Sequence, residues 1–496
     1  MAGTEQPDLE PDLEPDLEAD LELLAPLTDF DAFRENGYAL IDWIADYLTS
    51  LGQRPVCEPV EPGEVRAQLP VAAPQLPEPF SSVLADLDDV IVPGLAHWQH
   101  PGWFAYFPAM TSPASMLAEL ASAGLGVQGM IWSSSPAVTE LENHVLDWLV
   151  DLMGLPEAWK TTSRGGGLLT SGASASTLIA MINGREKCRK RTGAPVEQMV
   201  VYASSQAHSS VEKGARLAGF GHVRLIDVDD EFALRPQSLA EAVSQDLVGG
   251  LSPAAAVSAL GTTGTTAVDP VRGVGEVAAR WGMWHHVDAA YAGSAMVCEE
   301  FRHHLAGVEL VDSYTFNPHK WFATNLDCSV LWVADRVPLI DAMSIDPPYL
   351  RNEATDSGRV IDYRNWDLSL GRPFRALKLW FVIRALGAEG LRATIRRHTQ
   401  WARDLSARID GHLCLRRIAP TPFALVSFVH TAGDAATRAL ATAVNDTGRY
   451  FVTVSEIEGR PYIRVAIGAT LTARHHVDSF WQFINESAVT LRPPEK

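Results

Sequence analysis

Apolar side chains recur at Tyr38, Ile41, Ile44, Ala45 and Leu48 within residues 33–51, the spacing of one helix face. The pattern predicts an amphipathic helix that needs a covering surface. Residues 55–79 hold seven prolines and read as an extended linker. Short β-branched runs then alternate with helix-like stretches: MVVYAS (199–204), AAAVSAL (254–260), MWHHVDAA (283–290) and SYTFN (313–317). Such alternation predicts βαβ units and a mainly parallel sheet with helices on both faces, hence an α/β fold. From about residue 374 the pattern changes to a long helix, FRALKLWFVIRALG, followed by FALVSFVH and PYIRVAIG, which suggests a smaller α+β domain. The expected division is an acidic tail (1–28), a helical segment (29–100), a large domain (101–373) and a small C-terminal domain (374–496).

Composition narrows the class. The 496 residues carry a formal charge of −21, which repels nucleic acid and anionic membranes. No apolar run approaches the ~18–20 residues of a membrane span, and the acidic N-terminus is unlike a targeting segment, so the expected location is cytoplasmic. Cysteines 57, 188, 298, 328 and 414 form no C-x-x-C pair and read as reduced thiols. Pro-Asp-Leu-Glu occurs three times between residues 7 and 18, and residues 1–22 hold nine acidic and no basic side chains; such a tract is expected to be a disordered, solvating tail.

The chemistry gathers where strands end. SSQAHSS follows residue 204, GTTGTT follows 260, Asp288 closes a third strand and NPHK follows Phe316. Singly, His208 reads as a loop residue, the threonines as a turn, Asp288 as a helix cap and Lys320 as a surface charge. Together they lie at one edge, and in open α/β sheets ligands bind outside the carboxyl ends of the strands. GGGLLTSGASASTLIAM (165–181) adds small residues leading into a helix whose first-turn amides can hold a phosphate. The combination fits pyridoxal 5'-phosphate, with Lys320 bonding its aldehyde and Asp288 keeping the pyridine nitrogen protonated.

HVDAAYAGSA, FNPHKW, QAHSSVEK, FAYFPA, SPAVTELE and LGRPFRALKLW resemble the group II pyridoxal-phosphate decarboxylases of fold-type I, most closely the aromatic-L-amino-acid decarboxylases. The motifs run in unbroken order from about Phe33 to at least Leu386. The resemblance implies an aspartate-aminotransferase-like fold, a homodimer sharing its active sites, and an N-terminal helical segment wrapping the partner. By position it makes Lys320 and Asp288 the residues just described and stacks His208 on the cofactor ring. It places Ala173, Ser174 and Asn317 on the phosphate, Thr263, Ala290 and His319 around the cofactor, and Trp98, Tyr106, Phe107 and Pro108 along the substrate wall.

The same resemblance bears on the reaction. SIDPPYLRNEATDSG (344–358) is similar to a mobile catalytic loop, and Tyr349 stands where decarboxylases carry a tyrosine that returns a proton to carbon. Related aldehyde synthases commonly carry phenylalanine there, and some carry asparagine in place of His208. Both residues therefore favour decarboxylation of an aromatic L-amino acid, with an aldehyde synthase or a histidine or glutamate decarboxylase as the alternative. Gly371 matches a glycine that admits a large ring. Gln128 and Met130 stand at pocket positions that animal relatives fill with isoleucine and phenylalanine from the neighbouring subunit. Gly172 and Ala175 replace a serine and a glutamate of the family pattern.

Other signals weigh less. GLGVQG (124–129) satisfies a dinucleotide pattern but follows a helical stretch instead of a strand, and Pro136 interrupts the receiving helix. Histidine pairs 285–286, 303–304 and 475–476 suit metal poorly, since neighbours on a strand point to opposite faces. Ser174 lacks the second glycine of a nucleophile elbow.

Overall fold

The computed structural model describes residue 24 and residues 27–345, 353–356 and 359–491. The Pro-Asp-Leu-Glu repeats and Tyr349 lie outside the described residues. The chain forms two compact units, one ending at His97 and one beginning at Trp98.

In the first unit Asp29 caps the helix Phe30–Ser50 by accepting the Ala32 N–H at 2.9 Å. None of that helix's residues is buried, and Tyr38 and Ile41 remain exposed. Of the apolar face foreseen on this helix, Tyr38, Ile41 and Ala45 are exposed and Ile44 and Leu48 are half-buried. Tyr47 reaches His97 Nδ1 at 2.9 Å, and the His97 N–H donates to Val56 at 2.8 Å.

In the second unit seven strands form one sheet: β1 (Gly166–Thr170), β2 (Met199–Ser204), β3 (His222–Ile226), β4 (Ser252–Ala259), β5 (Trp284–Asp288), β6 (Ser313–Phe316) and β7 (Ser329–Val333), in the order β1-β7-β6-β5-β4-β2-β3. Strands β3, β2, β4, β5 and β6 are mutually parallel; β7 runs antiparallel to both β6 and β1. The four runs foreseen from β-branched patterning are β2, β4, β5 and β6. Small residues let a helix settle on this sheet: a Cβ on Gly184 of the helix Ala173–Thr192 would lie 3.0 Å from that of Ala255 and 3.2 Å from that of Trp284. Pro136 opens the helix Pro136–Met153 at its first turn instead of interrupting one, where its missing N–H costs nothing.

Four further strands, β8 (Leu415–Arg417), β9 (Leu425–His430), β10 (Thr453–Ile457) and β11 (Arg460–Ala466), make an antiparallel sheet ordered β10-β11-β9-β8. The preceding helix Arg375–Asp410 breaks at Gly387, whose φ of 63° and ψ of 171° are non-helical. That glycine is where the apolar period of FRALKLWFVIRALG stops. Among the described residues no helix is long and apolar enough to cross a membrane.

Candidate active site

Because β1, β2, β4, β5 and β6 point the same way, their carboxyl ends meet along one edge. The segments leaving them line a cavity of about 250 Å³ bounded by Ser171–Ser174, His208, Gly261–Thr263, Asp288, Ala290, Tyr291, Asn317, His319, Lys320 and Phe107. Every cofactor position expected from the sequence, namely Lys320, Asp288, His208, Ala173, Ser174, Thr263, Asn317, His319 and Ala290, lies on this lining.

Lys320 sits on the one-turn helix Pro318–Trp321. Asn317 precedes it and accepts the Lys320 N–H at 3.0 Å. Trp321, fully buried, stacks on Tyr291 at 4.8 Å, and Tyr291 stacks on Phe107 at 3.9 Å. This aromatic column is the reason a tryptophan directly follows the lysine: it fixes the turn that aims the amine inward. The Lys320 Nζ lies 5.4 Å from the Phe107 ring centroid. Burial holds the Lys320 pKa below its ordinary value; the Asp288 carboxylate opposes this, and Arg464 adds to it. The net direction favours the neutral amine, the form that attacks a carbonyl.

Asp288 ends β5, and one of its oxygens accepts the Ala290 N–H at 3.0 Å. His208 accepts the Ser210 N–H on Nδ1 at 3.1 Å, so the neutral ring carries its proton on Nε2. Desolvation at the cavity mouth lowers its pKa, with Lys320 acting in the same direction and Asp288 against it. His319 likewise accepts a backbone N–H, that of Cys328, on Nδ1 at 3.0 Å, and burial, helped by Lys320, pushes it down to about 4. Asn317 is 3% exposed, and its side-chain oxygen has no protein partner.

These groups fit a phosphorylated pyridine aldehyde. The cavity offers an amine for the aldehyde, a carboxylate for a protonated ring nitrogen, an imidazole for the ring face, and the opening turn of a twenty-residue helix for a phosphate. The orphaned Asn317 oxygen indicates a polar partner supplied by a ligand or its water. At Gly172, just before that helix, an added Cβ would meet nothing within 4 Å, so the serine missing there leaves open space.

Of the expected substrate residues, only Phe107 reaches the cavity. Trp98 and Tyr106 are 39% and 51% exposed and stack on each other at 5.4 Å, while Pro108 packs against Gly468. Gln128, Met130 and Gly371 gather at a separate corner. Gln128 Oε1 accepts the Arg372 N–H at 2.6 Å, and a Cβ on Gly371 would lie 3.5 Å from Gln128 Nε2. The Met130 carbonyl accepts the Arg364 N–H at 3.0 Å. Beneath them Arg372 and Glu142 form a fully buried pair at 2.7 Å, with Asp367 on the Arg372 Nε at 3.0 Å.

Two residues escaped the sequence reading. Tyr291, inside HVDAAYAGSA, builds the aromatic column. Arg464, inside PYIRVAIG, is 4% exposed and lies 5.3 Å from the Phe107 ring. An arginine at an otherwise apolar strand position was the available signal. Histidines 285 and 286 turn to opposite neighbours, Ser258 on β4 and Ser313 on β6, each at 2.8 Å.

Comparison with known proteins adds identity to this geometry. The chain is 42% identical to phenylacetaldehyde synthase of Arabidopsis thaliana over 478 residues, covering 94% of this chain and 97% of that protein. It is 39% identical to tryptophan decarboxylase 2 of rice (Oryza sativa subsp. japonica) over 472 residues, 93% and 95% of the two chains. The crystal structure of Oryza sativa TDC with PLP and tryptamine superposes with a TM-score of 0.91 at 37% identity, covering 93% of this chain and 99% of that one. The family model of the pyridoxal-dependent decarboxylase conserved domain matches residues 62–430. With its buried lysine, strand-end carboxylate and α/β frame, the chain belongs to the pyridoxal-dependent decarboxylase family.

Proposed function

We propose that this protein removes the α-carboxylate of an aromatic L-amino acid as carbon dioxide and releases the arylalkylamine. The observation that carries this reading is Lys320, a desolvated amine facing Asp288 across the strand-end cavity. Lys320, Asp288, His208, Ala173, Ser174, Thr263, Ala290, Asn317 and His319 would hold pyridoxal 5'-phosphate. When bound, the cofactor supplies an electron sink for the pair left on the α-carbon. Lys320 would be the amine that holds the cofactor aldehyde and yields it to the substrate amine. Asp288 would hold a proton on the ring nitrogen. His208 presents Nε2–H at the cavity mouth, where it can orient the substrate carboxylate. Phe107 shields the amine from water, and Tyr349 returns a proton to carbon.

The aromatic substrate class is supported by the named relatives, which act on or release aromatic compounds. A second copy of the chain would cover the open face of Phe30–Ser50 and bring Gln128, Met130 and Gly371 to the ring end of its neighbour's cavity, with Trp98, Tyr106 and Pro108 along the wall. The protein is read as a cytoplasmic homodimer. The 42% likeness to a phenylacetaldehyde synthase favours one rival: consumption of oxygen and water to give aldehyde, carbon dioxide, ammonia and hydrogen peroxide.

Incubating the cofactor-supplemented protein with L-tryptophan, L-tyrosine, L-phenylalanine and L-DOPA separates the two. Equal amounts of amine and carbon dioxide without peroxide support decarboxylation. Aldehyde with peroxide selects the rival, and silence on all four refutes the aromatic reading.

A further inference from the structure

Arg464 on β11 is nearly inaccessible, yet its hydrogen bonds go to neutral groups. Its Nε donates to the Gly264 carbonyl at 3.2 Å, Nη2 to the Thr263 carbonyl at 2.6 Å and Nη1 to the Thr453 hydroxyl at 3.1 Å. Among the described residues no carboxylate pairs with it; the groups acting on its charge are the phenols of Tyr462 and Tyr291. Burying a cation without a counter-ion costs several kcal/mol, so its position calls for a reason.

Lys320 supplies one. The Lys320 amine and the Arg464 guanidinium converge on the same Phe107 ring, at 5.4 Å and 5.3 Å from its centroid. The other charged or titratable groups near the amine are Asp288 on β5, His208 after β2 and His319 on its own turn. Both imidazoles are driven toward the neutral form by burial, with Lys320 contributing. Among the described residues, Asp288 is the group drawing a proton onto the amine, against the burial that holds it off. Arg464 is the fixed charge opposing it.

We propose that Arg464 is a positioning residue whose unpaired charge, acting together with burial, offsets part of the pull of Asp288 on the Lys320 amine. The inference rests on Lys320 being the cofactor-bearing amine. Its anchoring bonds to Thr263 and Gly264 hold the guanidinium at this distance; the charge itself does the work on Lys320.

Two measurements test this. In the holoenzyme, Arg464→Gln should move the pH midpoint of the bound-cofactor absorbance upward, and Arg464→Lys, which keeps the charge but loses the fork, should restore it. An unmoved midpoint in a folded, cofactor-bound Arg464→Gln protein overturns the proposal, as does an equal displacement in both variants, which would leave only a structural anchor. The second measurement needs no variant. Competitive acylation of the full wild-type chain, freed of cofactor, reports the proton affinity of Lys320 by peptide mapping. Protection midway below the ordinary lysine value of about 10.4 is expected, and an ordinary value overturns the proposal even if Lys320 carries no cofactor.

Discussion

Two regions named for the same reaction are built very differently. Around Lys320 one chain closes a cavity from five strand ends, braced by the Trp321–Tyr291–Phe107 column and with its histidine tautomers set by backbone N–H donors. Around Gln128 and Gly371 the surface is exposed, although the Arg372–Glu142 pair beneath it is sealed from solvent. The first region is pre-organised for bond-making chemistry. The second has a buried ion pair beneath an exposed face. In the proposed reaction, bond-making is enclosed by one chain and ring selection falls to an edge where single substitutions can act.

Replacing Lys320 with alanine should have the largest effect: amine formation falls at least ~10³-fold, and the absorbance of the bound cofactor disappears. An active, coloured variant would break the contrast at its strongest point. Next, Glu142→Ala should cost about 3 kcal/mol of stability, because it strips a buried charge of its bidentate partner; a urea midpoint equal to the wild type would show that the corner has no rigid base. Tyr349→Phe should lower amine yield ~10²-fold while aldehyde and peroxide rise, and unchanged amine yield would remove Tyr349 from proton return. The smallest effect belongs to the open wall. Gln128→Leu should change the preference between tyrosine and phenylalanine by ~1–3 kcal/mol without altering the cofactor spectrum; a changed spectrum would place Gln128 in the enclosed half.

The enclosed half was the readable one. Strands β2 (MVVYAS) and β4 (SPAAAVSA) are rich in β-branched residues or alanine, β5 (WHHVD) and β6 (SYTF) mix aromatic, histidine and β-branched residues, and each of the four leads into polar residues, so composition and position both mark the site. β1 was hidden because its glycines look like a turn. β3 was hidden because it is an edge strand with a mixed sequence, HVRLI, and mixed burial. β7 returns antiparallel, which a reading built on βαβ units does not anticipate. The open wall was not readable as a place. Gln128 meets the Arg372 N–H across 244 residues, and only the three-dimensional fold makes such a bond. Arg464 was lost for a related reason: both faces of β11 are buried, so strand period does not single it out, and its lack of a carboxylate partner among the described residues appears only once the neighbouring loops are in position.

The most direct measurement is chemical trapping: borohydride reduction of the holoenzyme, followed by proteolysis and mass spectrometry. The account predicts a phosphopyridoxyl mass on the peptide containing Lys320, and on no other lysine. A label on a different lysine, or a Lys320 peptide of unmodified mass in a coloured protein, would contradict it.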